Sequence, residues 1–285
     1  GKHLGLSFNL RGKDMAKFLT LNTHSWLEAN SLKKLFDLAE NIYIENYDVI
    51  CLQEINQDIR GLAANDVEGY EKLPSSPELH RDNYALQLVN YLRSQGRHYY
   101  WSWAYNHIGY DKYNEGVVIL SKNPIKVKDI LVSAVDDEHD YHTRRVLAAE
   151  TEVDSKPATV VSLHMSWFGK GFESEWAKLE EALSDFPSPL ILMGDFNNPT
   201  DTAGYDMILN SPLDLQDSHK VAKSIQGDHT IIEDIDGWEG NKQSLKVDHV
   251  FTSKDIEIQS STVVFDGGES PIVSDHFGLA VDLNY

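Results

Sequence analysis

The sequence predicts an α/β fold, on two observations. In Pro189-Leu190-Ile191-Leu192-Met193-Gly194 large apolar residues follow one another without a break, the pattern of a strand buried on both faces. The chain also opens with an apolar run, an amphipathic stretch and a second apolar run, which reads as strand, helix, strand. Gly194 ends the central run and lets the backbone approach a neighbour. Asp195 and Asn197 follow it, and residues i and i+2 of a strand point to the same side. A carboxylate and a carboxamide therefore project together from the end of a buried strand, where layered α/β proteins place their chemistry.

In chain order, residues 18–22 form a short strand ending on Asn22, and Thr23-His24-Ser25-Trp26 forms a loop. From Ser31, a helix N-cap, apolar residues at Leu32, Leu35, Phe36, Ala39, Ile42 and Tyr43 have amphipathic spacing. Residues 48–54 are a second buried strand with Glu54 at its end. Residues 57–82 read as loop. A helix then starts at Asn83 with Ala85, Leu88, Val89 and Leu92 on one face. Residues 99–105 are an aromatic-rich strand, and residues 115–121 another, with Glu115 at its start. Residues 125–132 and 146–153 add two more. Residues 159–164 form a buried strand ending on His164. A helix with Trp176, Leu179 and Leu183 on one face leads back to the Leu190 run. Beyond Asn197 come a helix near Tyr205, a strand from Val247, a strand or strand pair between Ile256 and Phe265, and a closing run from Ser274.

The 285 residues carry 41% hydrophobic content, with no linker, repeat or low-complexity tract, so residues 15–285 read as a single domain with ample core. Residues 1–14 look unlike the rest. Met15-Ala16-Lys17 reads as a natural start, which makes the preceding stretch an added remnant or a disordered extension. The formal charge of −20, from 45 acidic and 25 basic residues, repels polyanions and argues against a nucleic-acid partner, although a local basic groove or bound cations can override the global sign. Cys51 is the single cysteine and lies in an apolar run, so no internal disulfide forms and the thiol is expected to be buried and inert. No apolar run approaches the ~18 residues of a membrane span and no signal peptide is visible. The expectation is a cytoplasmic protein without membrane contact and without an obligate protein partner.

Polar residues gather at the ends of the buried strands: Asn22, Glu54, Glu115, His164, Asp195, Asn197, Asp248, Asp275 and His276. Each alone has an ordinary explanation as a solvated cap or a structural histidine. Together, that much charge beside a core requires partners or a metal. The blocks Leu21-Asn22, Leu52-Gln53-Glu54, Glu115-Gly116-Val117, Leu163-His164, Gly194-Asp195-Phe196-Asn197, Val247-Asp248-His249-Val250 and Ser274-Asp275-His276, in that order, resemble the endonuclease/exonuclease/phosphatase superfamily. The resemblance implies a two-sheet α/β sandwich of the deoxyribonuclease I-like kind, forming one phosphoesterase catalytic domain that uses Mg²⁺, with Mn²⁺ as a substitute. It implies that Glu54 is the principal metal ligand, helped by Asn22 and Asp275. Asp195 would orient or deprotonate the attacking water beside Asn197. His276, oriented by Asp248, and His164, paired with Glu115, would stabilise charge on the phosphate. Phosphoryl transfer consists mostly of positioning and charge neutralisation, which such a set supplies. Arg144 and Arg145 face opposite ways on a strand, and Arg144 is the expected phosphate contact.

The catalytic set does not separate nucleases, sphingomyelinases and sugar-phosphate phosphatases. Loops carrying His24, Trp26, Trp167 and Trp238 leave the catalytic end and offer flat faces that suit sugar rings or bases. The net charge favours a small phosphorylated sugar over a polynucleotide, and the missing export signal disfavours a secreted sphingomyelinase-like phosphodiesterase. The segments Asn22-Thr23-His24-Ser25-Trp26 and His107 through Gly116, read as loops, are similar to the maltose 6'-phosphate phosphatase branch of the superfamily. A Mg²⁺-dependent endo- or exonuclease is the alternative. A fold kept as a mere binding module should lack one of Glu54, Asp195 and His276, and none is missing.

Overall fold

A computed structural model describes residues 15–65 and 67–284; the expectation for residues 1–14 lies outside them. Two sheets pack face to face. In chain order the first sheet takes β1 (Ala16–Asn22), β2 (Val49–Asp58), β3 (Tyr100–Gly109) and β4 (Tyr113–Ser121), and the second takes β5 (Lys126–Leu131), β6 (Arg145–Val153), β7 (Lys156–His164) and β8 (Leu190–Asp195). Shorter strands follow: β9 (Leu215–Asp217), β10 (Ser224–Gln226), β11 (Ile231–Ile232) and β12 (Ser244–Leu245). The chain closes with β13 (Asp248–Ser253), β14 (Glu257–Val264) and β15 (Gly278–Asn284). The first sheet runs β10-β14-β15-β1-β2-β4-β3 and the second β5-β6-β7-β8-β13-β9.

The unbroken apolar runs are explained by burial on both faces. In β1, Phe18 points into the core between the sheets, whereas Leu19 and Leu21 pack under the helices Ser31–Glu45 and Tyr84–Ser94. In β8, Ile191 and Met193 face the central core, and Leu190 and Leu192 face the helix Phe172–Leu183. The result is a sandwich of two sheets with a helical layer outside each. Cys51 is fully buried in the central core, and burial pushes its thiol up, as its apolar setting predicts. No helix among the described residues is long and apolar enough to cross a membrane.

Four local expectations are corrected. The helix Ser31–Glu45 buries Leu35, Leu38, Ala39 and Ile42, leaving Leu32, Phe36 and Tyr43 exposed, and its N-cap is Asn30. Strand β2 does not end at Glu54 but continues to Asp58 across a bulge between Leu52 and Ile55. Glu115 lies inside β4, not at its start. The segment from His107 to Gly116 is a hairpin of β3 and β4 closed by a turn at 110–112, not a loop. Gly194 meets its expectation of close approach: a Cβ there would lie 2.0 Å from the Leu163 carbonyl oxygen on β7.

Candidate active site

Strand register builds the centre of the site. Strand β7 runs parallel to β8 with His164 beside Asp195, and β13 runs antiparallel to β8 with Asp248 beside Asp195. Three polar side chains thus stand in a row at the ends of adjacent strands. His276, on the segment before β15, closes the group. Its Nδ1 donates to Asp248 Oδ2 at 2.8 Å, and its Nε2 lies 3.5 Å from Asp195 Oδ2. His164 Nε2 approaches the same Asp195 oxygen to 3.3 Å. Asn22 Nδ2 donates to it at 3.0 Å, and the Asn197 backbone N–H donates to Oδ1 at 3.0 Å.

Asp195 is 1% exposed. Burial alone would raise its carboxyl, but His276, His164 and the Asn22 bond outweigh it and hold the group well below the usual carboxylate range. Burial likewise works against the His276 imidazolium, and Asp248 and Asp195 overcome it, so its pKa stands well above the ordinary value. A buried carboxylate flanked by imidazoles is therefore ionised at neutral pH, and His276 is charged.

A second group lies across the cavity. The β2 bulge places Glu54 at φ 51° and aims it at the cavity, a common use of a bulge beside a site. Burial, Glu115 and Asp275 push the Glu54 carboxyl up to about 8. Glu54, Asp275 and the Asn22 amide are oxygen donors of the kind a hard divalent ion takes, and Asp275 also stands with His24 and Asp236 in a group close enough to share a cation. Asn22 ties the first group to the following loop: Nδ2 donates to Asp195 and Oδ1 accepts the His24 backbone N–H at 3.2 Å.

The expected pairing of Glu115 with His164 is replaced. Register sets Glu115 directly opposite His107 on the β3–β4 hairpin, and the two side chains meet at 3.5 Å, while His164 turns to Asp195. His107 Nδ1 donates to the Thr143 carbonyl at 2.9 Å. Arg144 is buried and lines the cavity, donating to Ser166 Oγ and the His164 carbonyl, both at 2.8 Å. Arg145 turns away to the Tyr105 carbonyl and Asp136.

The aromatic residues divide. Trp167 lines the cavity. Trp26 does not: its Nε1 donates to the Asp82 carbonyl at 2.7 Å and its ring packs edge-on against Tyr84. Trp238 Nε1 donates to Asn197 Oδ1 at 3.0 Å and so holds a residue of the site. His24 lies between Glu28 at 2.5 Å and Asp236 at 2.8 Å, with Asp275 at 3.7 Å. The cavity, about 510 Å³, also takes in His107, Tyr110, Tyr141, Lys170, Asp236 and Glu239, which sequence reasoning missed. His107 and Tyr110 left a signal, since both lie in the segment His107 through Gly116 that resembles the sugar-phosphatase branch. The others sit on loops that have no period.

A sandwich with buried carboxylates, buried imidazoles and acid–histidine clusters close enough to hold a cation is the arrangement of a metal-dependent phosphoester hydrolase. The model of the Endonuclease/Exonuclease/phosphatase family matches residues 6–276, and the chain belongs to that family. Among solved structures it is similar to a family member from Leptotrichia buccalis C-1013-b, at 29% identity and a TM-score of 0.81, covering 95% of this chain and 100% of that one. It shares its fold with a mannosyl-6-phosphatase of Bacteroides thetaiotaomicron VPI-5482, at 16% identity and a TM-score of 0.65, covering 95% and 100%. The human Nocturnin catalytic domain, with a bound sulfate, is alike at 15% and 0.65, covering 95% and 93%. No curated protein matches the sequence.

Proposed function

We propose that the protein is a Mg²⁺-dependent phosphomonoesterase that hydrolyses a sugar phosphate, with maltose 6'-phosphate as its substrate, to sugar and inorganic phosphate. The observation that carries this reading is the pair of imidazoles, His164 and His276, set about buried Asp195 in a cavity of about 510 Å³, a volume suited to a small ligand. The net charge of −20 opposes polyanions, whereas a small dianion needs only local cationic partners. A fold neighbour is a mannosyl-6-phosphatase, and Trp167 offers a face for a second ring.

Glu54, Asn22 and Asp275 would hold the metal, which when bound neutralises phosphate charge as a Lewis acid. The protein's own groups do the rest. Asp195, its oxygens fixed by Asn22 and the Asn197 N–H, orients or deprotonates the attacking water. His276 keeps its Nδ1 proton on Asp248 and presents Nε2 to the phosphate, where charge spreads in the transition state. Arg144, anchored at Ser166 and His164, adds positive charge to the wall.

A phosphate-release screen with Mg²⁺ over sugar phosphates, inositol phosphates and nucleotides, run beside a plasmid-nicking assay, tests the proposal. Turnover of maltose 6'-phosphate above the other sugars supports it. Efficient nicking with negligible phosphate release overturns it in favour of a nuclease.

A further inference from the structure

The loop between β11 and β12 crosses the rim of the cavity and is pinned on two flanks. On one flank, Asp236 Oδ2 accepts from His24 Nε2 at 2.8 Å and from the Tyr110 hydroxyl at 3.0 Å. On the other, Trp238 holds Asn197, and Gly237 passes so near Trp167 that a Cβ there would lie 3.1 Å from the indole ring. Asp236, Gly237 and Glu239 consequently form part of the cavity wall. The remaining wall comes from the β3–β4 hairpin, the Tyr141–Arg144 stretch and the loop of Trp167 and Lys170.

We infer that this strap makes the site selective for terminal phosphates on uncharged alcohols. The inference rests on the phosphoesterase reading above and explains which phosphoesters it admits. A monoester has one ester arm and leaves by one exit. A diester within a chain has two arms and needs an open-ended groove, and the strap walls off one side. The strap also brings the carboxylates of Asp236 and Glu239 to the rim, in a protein already at −20. Asp236 is already bonded to the His24 imidazole and the Tyr110 hydroxyl, so Glu239 is the rim carboxylate that a second phosphate on the leaving group meets, and like charges brought together at an interface are strongly unfavourable. Substrates with a neutral leaving group meet no such barrier.

The test compares p-nitrophenyl phosphate, bis-p-nitrophenyl phosphate and a thymidine hexanucleotide, none of which depends on the sugar assignment. The enzymes are wild type, an Asp236→Asn/Glu239→Gln double variant and a variant with residues 235–240 replaced by Gly-Gly. Wild type should strongly prefer the monoester. Shortening the strap should raise the diester-to-monoester ratio in kcat/KM, and the charge variant should raise hexanucleotide cleavage relative to bis-p-nitrophenyl phosphate by about tenfold. Unchanged ratios in the charge variant, which keeps the loop, overturn the inference, as does wild-type cleavage of the diester as fast as the monoester. Hydrolysis of p-nitrophenyl phosphate with the expected ratios but no turnover of any sugar phosphate would overturn the sugar assignment and leave the strap intact.

Discussion

His276 donates its Nδ1 proton to Asp248 at 2.8 Å, and Asp248 stands in register beside Asp195, the residue that His276 approaches with its other nitrogen. One imidazole is therefore fixed by Asp248 and set within ion-pair distance of Asp195, two carboxylates on adjacent strands. Asp248 is fully buried and lines no part of the cavity. Its hydrogen bond to His276 links it to the phosphate position.

Replacing His276 by Ala should lower kcat on the order of 10²-fold or more, as for removal of a preorganised charge stabiliser. Asp248→Asn should cost less. If Asp248 works through His276, the double variant should be no slower than His276→Ala alone. Multiplicative losses in the double variant would break the pairing.

Metal removal should abolish activity, and Mg²⁺ or Mn²⁺ should restore it. The crowding of Glu54, Glu115 and Asp275 adds a readout that does not depend on turnover. Glu54 is pushed up to about 8 by burial and these two neighbours, so binding of a divalent cation should raise the Tm of the wild type by linkage. At neutral pH a carboxyl held near 8 is largely protonated until a cation displaces the proton, so Glu54→Gln puts a neutral group where the metal-free protein already holds one. The variant should be at least as stable as the metal-free wild type, gain less Tm on addition of Mg²⁺, and lose most of its activity. An equal Tm gain in both proteins would show that the ion binds elsewhere.

Much of this site was legible because register and burial obey simple rules. Apolar runs that fill two faces announce β1, β2, β7 and β8, and their polar ends supply Asn22, His164 and Asp195. The errors have physical causes as well. A bulge is a backbone event, so the sequence places Glu54 at a strand end when the strand continues past it. The family resemblance gives Glu115 to His164, whereas pairing across a hairpin depends on where the turn falls, and register gives Glu115 to His107. A tryptophan beside a polar loop reads the same whether its ring faces a ligand or, like Trp26, satisfies a carbonyl and packs on Tyr84. The strap has no periodicity, and its importance lies in contacts to His24, Tyr110 and Asn197 that are distant in sequence.

Those placements separate two tryptophans that look equivalent in sequence. Trp167→Ala should reduce the preference for maltose 6'-phosphate over glucose 6-phosphate in kcat/KM, because remote binding of the second ring helps orient the phosphate. Trp26→Ala should leave that preference in place and instead destabilise the fold by about 2–3 kcal/mol, below the range for a fully buried tryptophan because the ring is only partly covered. Loss of preference in Trp26→Ala with unchanged stability would reverse the assignment.

Behind the site, His249 is fully buried between Lys246 Nζ and the Asn198 carbonyl, each at 2.9 Å. The Lys246 ammonium donates to Nδ1, so Nε2 carries the proton and donates to Asn198, next to Asn197. Burial, reinforced by the charge of Lys246, holds the imidazole pKa down to about 3, from an ordinary 6.5. The unfolded chain therefore binds a proton at this residue below pH 6.5 that the folded chain refuses until about pH 3. Stability from this group is complete above 6.5 and declines as pH falls through that window, with a limiting slope of about 1.4 kcal/mol per pH unit. In His249→Gln the slope belonging to this residue disappears, while the carboxylates titrate as before. Urea unfolding at pH 7, 6 and 5 should accordingly show wild-type stability falling more steeply than that of the variant, and parallel declines would show that His249 is not held neutral in the fold.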